Sequence, residues 1–599
     1  PHLVHRDMFR QQARACRENG IQVHLYTTIC WDARIAREHP EWVAVDAHAR
    51  QIRRETGTIF EDPGFHTDLC INSPYREFCK EQVADALEGC PVDGILVDAP
   101  FVVECCCPRC LDSMLRRGLD PANPEDRKRH AHLVYYEFTR EMTEFLRGIN
   151  PDFAIFFNKG HVGFQDKPVY DCFDYVAVES QPANCGYMDF PVAARYLRTL
   201  GLPVAGMTGR FLTGWGDNHS FRNQAALEFE TFSALAYGGI CNIGDHLPPS
   251  GRLDPYMYPV IGRVFAKVKE KEPWCRNVEP MAEIAVFNPE EFYGGAPGKV
   301  NPHAEGVCRM LQELAHQYNL VDSQSDYTPY RLLILADNIP VDDALARRLQ
   351  AFVQQGGALI ATGRAGLLPD GSGFALDCLG IVHEGESPYK AGYLLPGSTL
   401  GDGLHPTEYA MYLPSQRIRP ASAGTQQLAA FVPPLFNNSW QHYTGHLDAP
   451  SSGRPEGPAA TQNGRCVYFA HPLSLIYHTM GPRWVKHLLE NAIRLVMPGR
   501  LVAHDGPSTT IVTLNRQPAE NRLVLHLMHY VPERRTQKYD IVEDVIPLHD
   551  VGISLLVGTK PQSVFLVPQM EPIAFRFTSG TIQFTVPRVD GHQMVEITV

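Results

Sequence analysis

The feature that most constrains this chain is an alternation. Short apolar runs trade places with segments of helical periodicity from residue 19 to residue 246. The runs are NGIQVHLYTT (19–28), HTDLCINS (66–73), VDGILVDAP (92–100), DFAIFFNKG (152–160), FDYVAVESQ (173–181), LPVAGMTGRF (202–211) and GGICNIGDH (238–246). Each is nearly continuous in apolar residues, the pattern of parallel strands buried on both faces. Between them lie amphipathic stretches such as 74–90, 124–149 and 220–239. Seven such units within residues 1–275 predict a (β/α)8 TIM barrel one strand short. The chain opens on a helical segment, 1–20, so the first strand is expected ahead of Pro1. On that count Asp98 ends the fourth strand, Asn158 the fifth, Glu179 the sixth and Asp245 the eighth.

The pattern changes twice. A second α/β region, 280–500, carries the strands MAEIAVFNP, YRLLILADN and ALIATGR between helices and reads as flavodoxin-like. From 501 to 599 short strands separated by turn residues predict a β-sandwich. A length of 599 residues suits several domains. A net charge of −13 argues against nucleic acid or an anionic membrane as the partner. No apolar run is long enough to cross a bilayer. Sixteen cysteines, many placed singly in apolar strands, indicate reduced thiols and a cytoplasmic setting.

Barrel enzymes react where their strands end. This chain places a polar group at nearly every such end: Tyr26, Asn72, Asp98, Asn158, Glu179, Arg210 and Asp245. Trp31, Asp32, His161, Gln181 and His246 follow within a few residues. Rings that stack on sugar faces and planar groups that bind hydroxyl pairs are what a saccharide pocket needs. Asp98 and Glu179 close the runs GILVD and YVAVE. Two carboxyl groups facing one pocket are the minimum for glycoside hydrolysis, one as nucleophile or base and one as acid. The alternatives are acids that pair with arginines such as Arg210 and only shape the rim, or a silent saccharide-binding protein using the same mouth.

The segments HLYTTICWDARIAREHPEW, DLCINSPYREF, VDGILVDAPF, IFFNKG, VAVESQ and GDHLPPSGRLDP, with the Cys-rich stretch, resemble hypothetical glycosyl hydrolase family 6 across residues 1–275. Related barrels include retaining α-glycosidases and α-L-fucosidases whose fourth-strand Asp is the nucleophile. The resemblance therefore implies a retaining glycosidase acting on a terminal, α-linked, fucoside- or galactoside-like sugar, without a cofactor. Asp98 would be its nucleophile and Glu179 its acid/base. The other strand-end residues named above would bind substrate. The 280–500 region is similar to the trimerisation domain of family 42 β-galactosidases, which implies a homo-oligomer, dimer or trimer. A family 42-like β-galactosidase is a rival reading; its catalytic pair would be two Glu from the fourth and seventh strands, and VAGMTGR supplies none at the seventh.

ECCCPRC (104–110) stands apart. Cys107 and Cys110 form a CxxC, half of a structural zinc site, and Cys70, Cys172 or Cys185 could complete it only through the fold. Packed free thiols are the competing expectation. GGAPGKV (294–300) lacks the spacing of a phosphate-binding loop.

Overall fold

The computed structural model of the chain describes residues 7–54, 66–246, 248, 250–296 and 298–599. Six parallel strands organise its first part: β1 (His24–Thr28), β2 (Gly94–Asp98), β3 (Ala154–Asn158), β4 (Val176–Glu179), β5 (Val204–Gly209) and β6 (Ile240–Gly244). They form two three-stranded sheets in the orders β1-β2-β3 and β4-β5-β6. β3 lies beside β4, since the amide of Asp174 donates to Ile155 O at 3.0 Å. Ile95, Val97, Ile155, Phe157 and Val176 are fully buried, which accounts for the unbroken apolar runs. Removing each such side chain from water contributes roughly 1.5–3 kcal/mol.

The expectation for 66–73 needs correction. Only His66–Thr67 is extended, and it pairs antiparallel with Arg53–Arg54. β1 pairs directly with β2, Thr28 opposite Asp98. Asp68, Leu69 and Cys70 are buried instead outside the parallel sheets: Asp68 and Leu69 make isolated antiparallel bridges to Trp31 and Val43, and the Leu69 amide donates to Cys30 O and the Cys70 amide to Trp42 O, each at 2.8 Å. An apolar run signals burial but does not say whether the backbone is satisfied by a sheet or by loops. The parallel strands therefore number six among the described residues, not seven.

The second region holds a nine-stranded sheet. Its parallel part places Tyr318–Val321 outside Ile284–Phe287, followed by Leu332–Leu335, Ala358–Thr362 and Cys466–Phe469. Four antiparallel strands drawn from residues 393–463 extend it. The chain then becomes β-rich. A four-stranded and a six-stranded sheet share one apolar core that includes Ile553, Val586, Leu525 and Val595. Glu279–Pro280 joins the edge of the six-stranded sheet.

Buried polar contacts lock these parts together. Asp322, with no exposed surface, accepts Lys167 Nζ and Tyr196 Oη, both at 2.7 Å. Thr513 Oγ1 donates to Ala236 O at 2.7 Å, where helix Gln224–Ala236 leaves a carbonyl without an intrahelical partner. Among the described residues no helix is long and apolar enough to cross a membrane.

Candidate active site

Register builds the site. Thr28, Asp98 and Asn158 lie in one row across β1, β2 and β3. Side chains in such a row share a face, so the ends of three strands converge. Tyr26, two residues before Thr28, points to that same face and its hydroxyl donates to Asp98 Oδ2. Asn158 is 6% exposed, so its amide must find partners inside the protein. Its Nδ2 donates to Asp98 Oδ1 at 2.8 Å and to Glu179 Oε1 at 3.0 Å. One nitrogen thus holds both acids. Their near oxygens therefore cannot be farther apart than those two lengths end to end.

The turn after β2 is strained. Ala99 adopts φ +59°, a left-handed conformation that costs a residue with a Cβ roughly 1–2 kcal/mol. Two hydrogen bonds of 2.7 Å hold the turn, from the Ile29 amide to Asp98 O and from the Ala99 amide to Asn158 O. Burial raises the pKa of Asp98 from 3.8 to about 6, the bond from Tyr26 opposes that rise, and the charge of Glu179 adds to it. Burial and the adjacent Asp98 charge also raise the Tyr26 phenol, which stays protonated as a donor.

Glu179 has a second partner. Trp215, in the loop after β5, donates from Nε1 to Glu179 Oε2 at 3.0 Å. Its ring sits in a slot made by two strand-end glycines: a Cβ on Gly244 would lie 2.5 Å from the indole and one on Gly209 3.1 Å from it. Trp215 is not among the strand-end residues singled out from the sequence, since only the fold brings its loop against Glu179.

The other expected site residues divide. Arg210 Nε donates to Asp245 Oδ1 at 2.6 Å, and both groups are nearly buried, so they bind each other at the ends of β5 and β6. Asp245 Oδ1 also accepts the His246 amide at 2.8 Å, and the His246 ring meets Phe211 edge-on. Gln181 is fully buried, and its Nε2 donates to Phe211 O at 3.1 Å. Trp31 Nε1 donates to Asp68 Oδ1 at 2.9 Å, and its ring lies 4.9 Å from that of Phe101. Three residues are engaged elsewhere. Asp32 caps helix Ala33–Glu38 through the amides of Arg34 and Ile35. His161 pairs with Glu290 of the second region at 3.1 Å. Asn72 ends no parallel strand and donates instead to Cys110 Sγ at 3.5 Å.

That last contact leads to a second cluster. The sulfurs of Cys70, Cys105, Cys107 and Cys110 all lie within 4.8 Å of one another, and all four residues are buried. Cys172 and Cys185 are not among them.

Comparison with known proteins follows the same lines. A model of the family described as Hypothetical glycosyl hydrolase 6 matches residues 1–99. No curated protein sequence matches. Among solved structures, α-L-fucosidase isoenzyme 2 from Paenibacillus thiaminolyticus superposes with a TM-score of 0.93 at 32% identity, covering 99% of this chain and 89% of that one. A GH42 β-galactosidase from G. stearothermophilus gives 0.70 at 14% identity, covering 100% and 91%. The β-galactosidase from Bacillus circulans sp. alkalophilus gives 0.68 at 15%, covering 98% and 90%. The two β-galactosidases share the fold alone. Fold and family together define a glycosidase. The chain belongs to the glycosyl hydrolase family of the Paenibacillus α-L-fucosidase isoenzyme 2.

Proposed function

We propose that this glycosidase is a retaining exo-α-L-fucosidase in which Asp98 is the nucleophile and Glu179 the acid/base. The observation that carries the reading is the single Asn158 amide nitrogen bonded to both carboxylates. It brings the near oxygens of both acids to one donor, which favours the gap of roughly 5–5.5 Å of retaining pairs over one that leaves room for a water between base and sugar. Asp98 Oδ2 attacks the anomeric carbon as Glu179 protonates the leaving oxygen. Glu179 then takes a proton from a water whose oxygen attacks the anomeric carbon, breaking the Asp98 ester and releasing the sugar with its configuration kept. Before attack, Tyr26 and Asn158 hold Asp98 ionised and aimed. The α-L-fucoside class is suggested by the relative at 32% identity.

In the same reading β1–β6 are a contiguous arc of a (β/α)8 barrel. Counting back from β6 as the eighth strand puts Asp98 on the fourth and Glu179 on the sixth, while β1 becomes the third rather than the second. The strand order of the second region is that of flavodoxin-like sheets, and the 501–599 part reads as a β-sandwich. The domains are then 1–275, 280–500 and 501–599, with the middle one available for homo-oligomer contacts.

The test is a panel of nitrophenyl glycosides followed by trapping. The wild type should release nitrophenol from the α-L-fucoside and yield the α-anomer first. A 2-deoxy-2-fluoro fucosyl fluoride should label the peptide that contains Asp98. A β-anomer as first product overturns retention, and a label on another acid overturns the assignment of Asp98.

A further inference from the structure

We propose that His161 and Glu290 are positioning residues of the reaction: a charged pair between the first and second regions that holds the loop after β3, and with it Asn158, in register with Glu179. The inference rests on reading Asp98 and Glu179 as the catalytic pair. The bridging nitrogen of Asn158 serves both acids only while the ends of β3 and β4 keep their spacing. A misplacement of about 1 Å at a reacting centre can cost about a hundredfold in rate. The two loops that continue those strands therefore need a common support.

One stretch of the second region touches both loops. Glu290 opens the helix Glu290–Tyr293, just beyond the strand Ile284–Phe287. Its Oε2 lies 3.1 Å from Nε2 of His161, which follows Asn158 by three residues. Two glycines make the space for this pair. A Cβ on Gly295 would lie 2.3 Å from His161 Nε2, and one on Gly163 would lie 2.3 Å from Glu290 Oε2. Farther along, Gly298 packs on the loop after β4. A Cβ there would lie 2.9 Å from Asn184 O and 3.3 Å from Cys185 Sγ. Both belong to the short helix Pro182–Cys185, which begins three residues past Glu179. The glycines of GGAPGKV thus allow close packing against the pocket loops rather than phosphate binding.

The pair is shielded from solvent. The side chains of His161 and Glu290 are 14% and 13% exposed, so salt and water screen their attraction little. Burial by itself lowers the pKa of His161. The charge and bond of Glu290, then the charges of Asp166 and Asp189, outweigh it and raise the pKa. Asp166 is already matched by Lys159 Nζ at 2.9 Å. Tyr170, whose hydroxyl donates to Gly163 O at 2.5 Å, is kept neutral by burial. Asp189 is buried and raised to about 7; burial is the main cause, the charge of His161 opposes it, and the charges of Glu290, Glu179 and Glu305 add to it. Glu290 is therefore the partner that keeps His161 a cation at neutral pH.

The test is turnover of a nitrophenyl glycoside cleaved by the wild type, followed from about pH 5 to about pH 10. His161→Gln and Glu290→Gln should each lower kcat roughly tenfold to a hundredfold at neutral pH, with KM unchanged. The ratio of wild type to His161→Gln should shrink as pH rises, because the wild type loses the same cation once His161 deprotonates. A packing role alone gives one ratio at every pH. The double variant should lose no more than either single one. Should His161→Gln fail to fold in a fluorescence melt, the isosteric Glu290→Gln reads the same pH dependence. A flat ratio, losses that multiply in the double variant, or an effect confined to KM would each overturn the proposal. The fluorinated sugar separates it from the reading beneath it: a flat ratio with Asp98 labelled sinks this inference alone, and a label on another acid sinks both.

Discussion

Tyr26→Phe isolates how the pocket sets the charge of Asp98. The substitution keeps the ring and removes one hydroxyl, the donor to Asp98 Oδ2. Hydrogen bonds to charged groups contribute roughly 1.5–3 kcal/mol, and each 1.36 kcal/mol is one pKa unit. The Tyr26 residue is 59% exposed although its hydroxyl is desolvated against Asp98, so water replaces part of the lost bond and the lower end applies, about one unit. Burial already raises Asp98 to about 6. As the proposed nucleophile, Asp98 must be ionised to attack, so kcat/KM for the wild type should fall below pH 6, tenfold per pH unit. In Tyr26→Phe that acidic limb should move to about pH 7. At pH 6 the ionised fraction drops from about a half to about a tenth, a roughly fivefold loss, while the two enzymes approach each other at alkaline pH. The assay is kcat/KM on nitrophenyl α-L-fucoside across the pH range, with a fluorescence melt as the folding control. An acidic limb that stays in place, or moves to lower pH, refutes the argument that Tyr26 stabilises the Asp98 carboxylate.

Other consequences can be checked with the same reagents. Asp98→Asn should abolish turnover and stabilise the fold. The folded-state pKa of Asp98 lies above its unfolded value of 3.8, so burying its charge destabilises the protein as pH rises from about 4 to 6. Relief of roughly 2–3 kcal/mol should appear as a higher Tm at pH 8 and no change at pH 3. Trp215→Phe removes a donor from Glu179 and should lower kcat/KM roughly tenfold or more, the loss of one charge-assisted bond, with the fold intact. Gly244→Ala places a methyl group 2.5 Å from the Trp215 ring. It should cost kcat/KM roughly tenfold to a hundredfold, the loss of one charge-assisted bond, with far-UV circular dichroism unchanged.

The local pattern of the chain sufficed for much of this. Runs such as GILVD and YVAVE carry both facts that matter, a strand buried on both faces and an acid that its end leaves at a mouth, because apolar periodicity and its interruption are local properties. The change to short alternating strands after residue 500 was legible for the same reason. What only the tertiary structure decided depends on which side chains meet across strands. DLCIN has the composition of a strand, yet its backbone bonds go to Cys30 and Trp42, and Asn72 is drawn to a sulfur instead of the pocket. Asp245 and Arg210 look like two site residues in the sequence, and in space they neutralise each other. Asn158 and Trp215 gain their roles from register and from a glycine slot, neither of which has a local signature. The four cysteines are the clearest case. ECCCPRC announces a CxxC, but the choice of Cys105 over Cys106 and the arrival of Cys70 from another loop follow from where the backbone turns. Sequence spacing determines which groups are available; the packing of distant segments determines which of them share a centre.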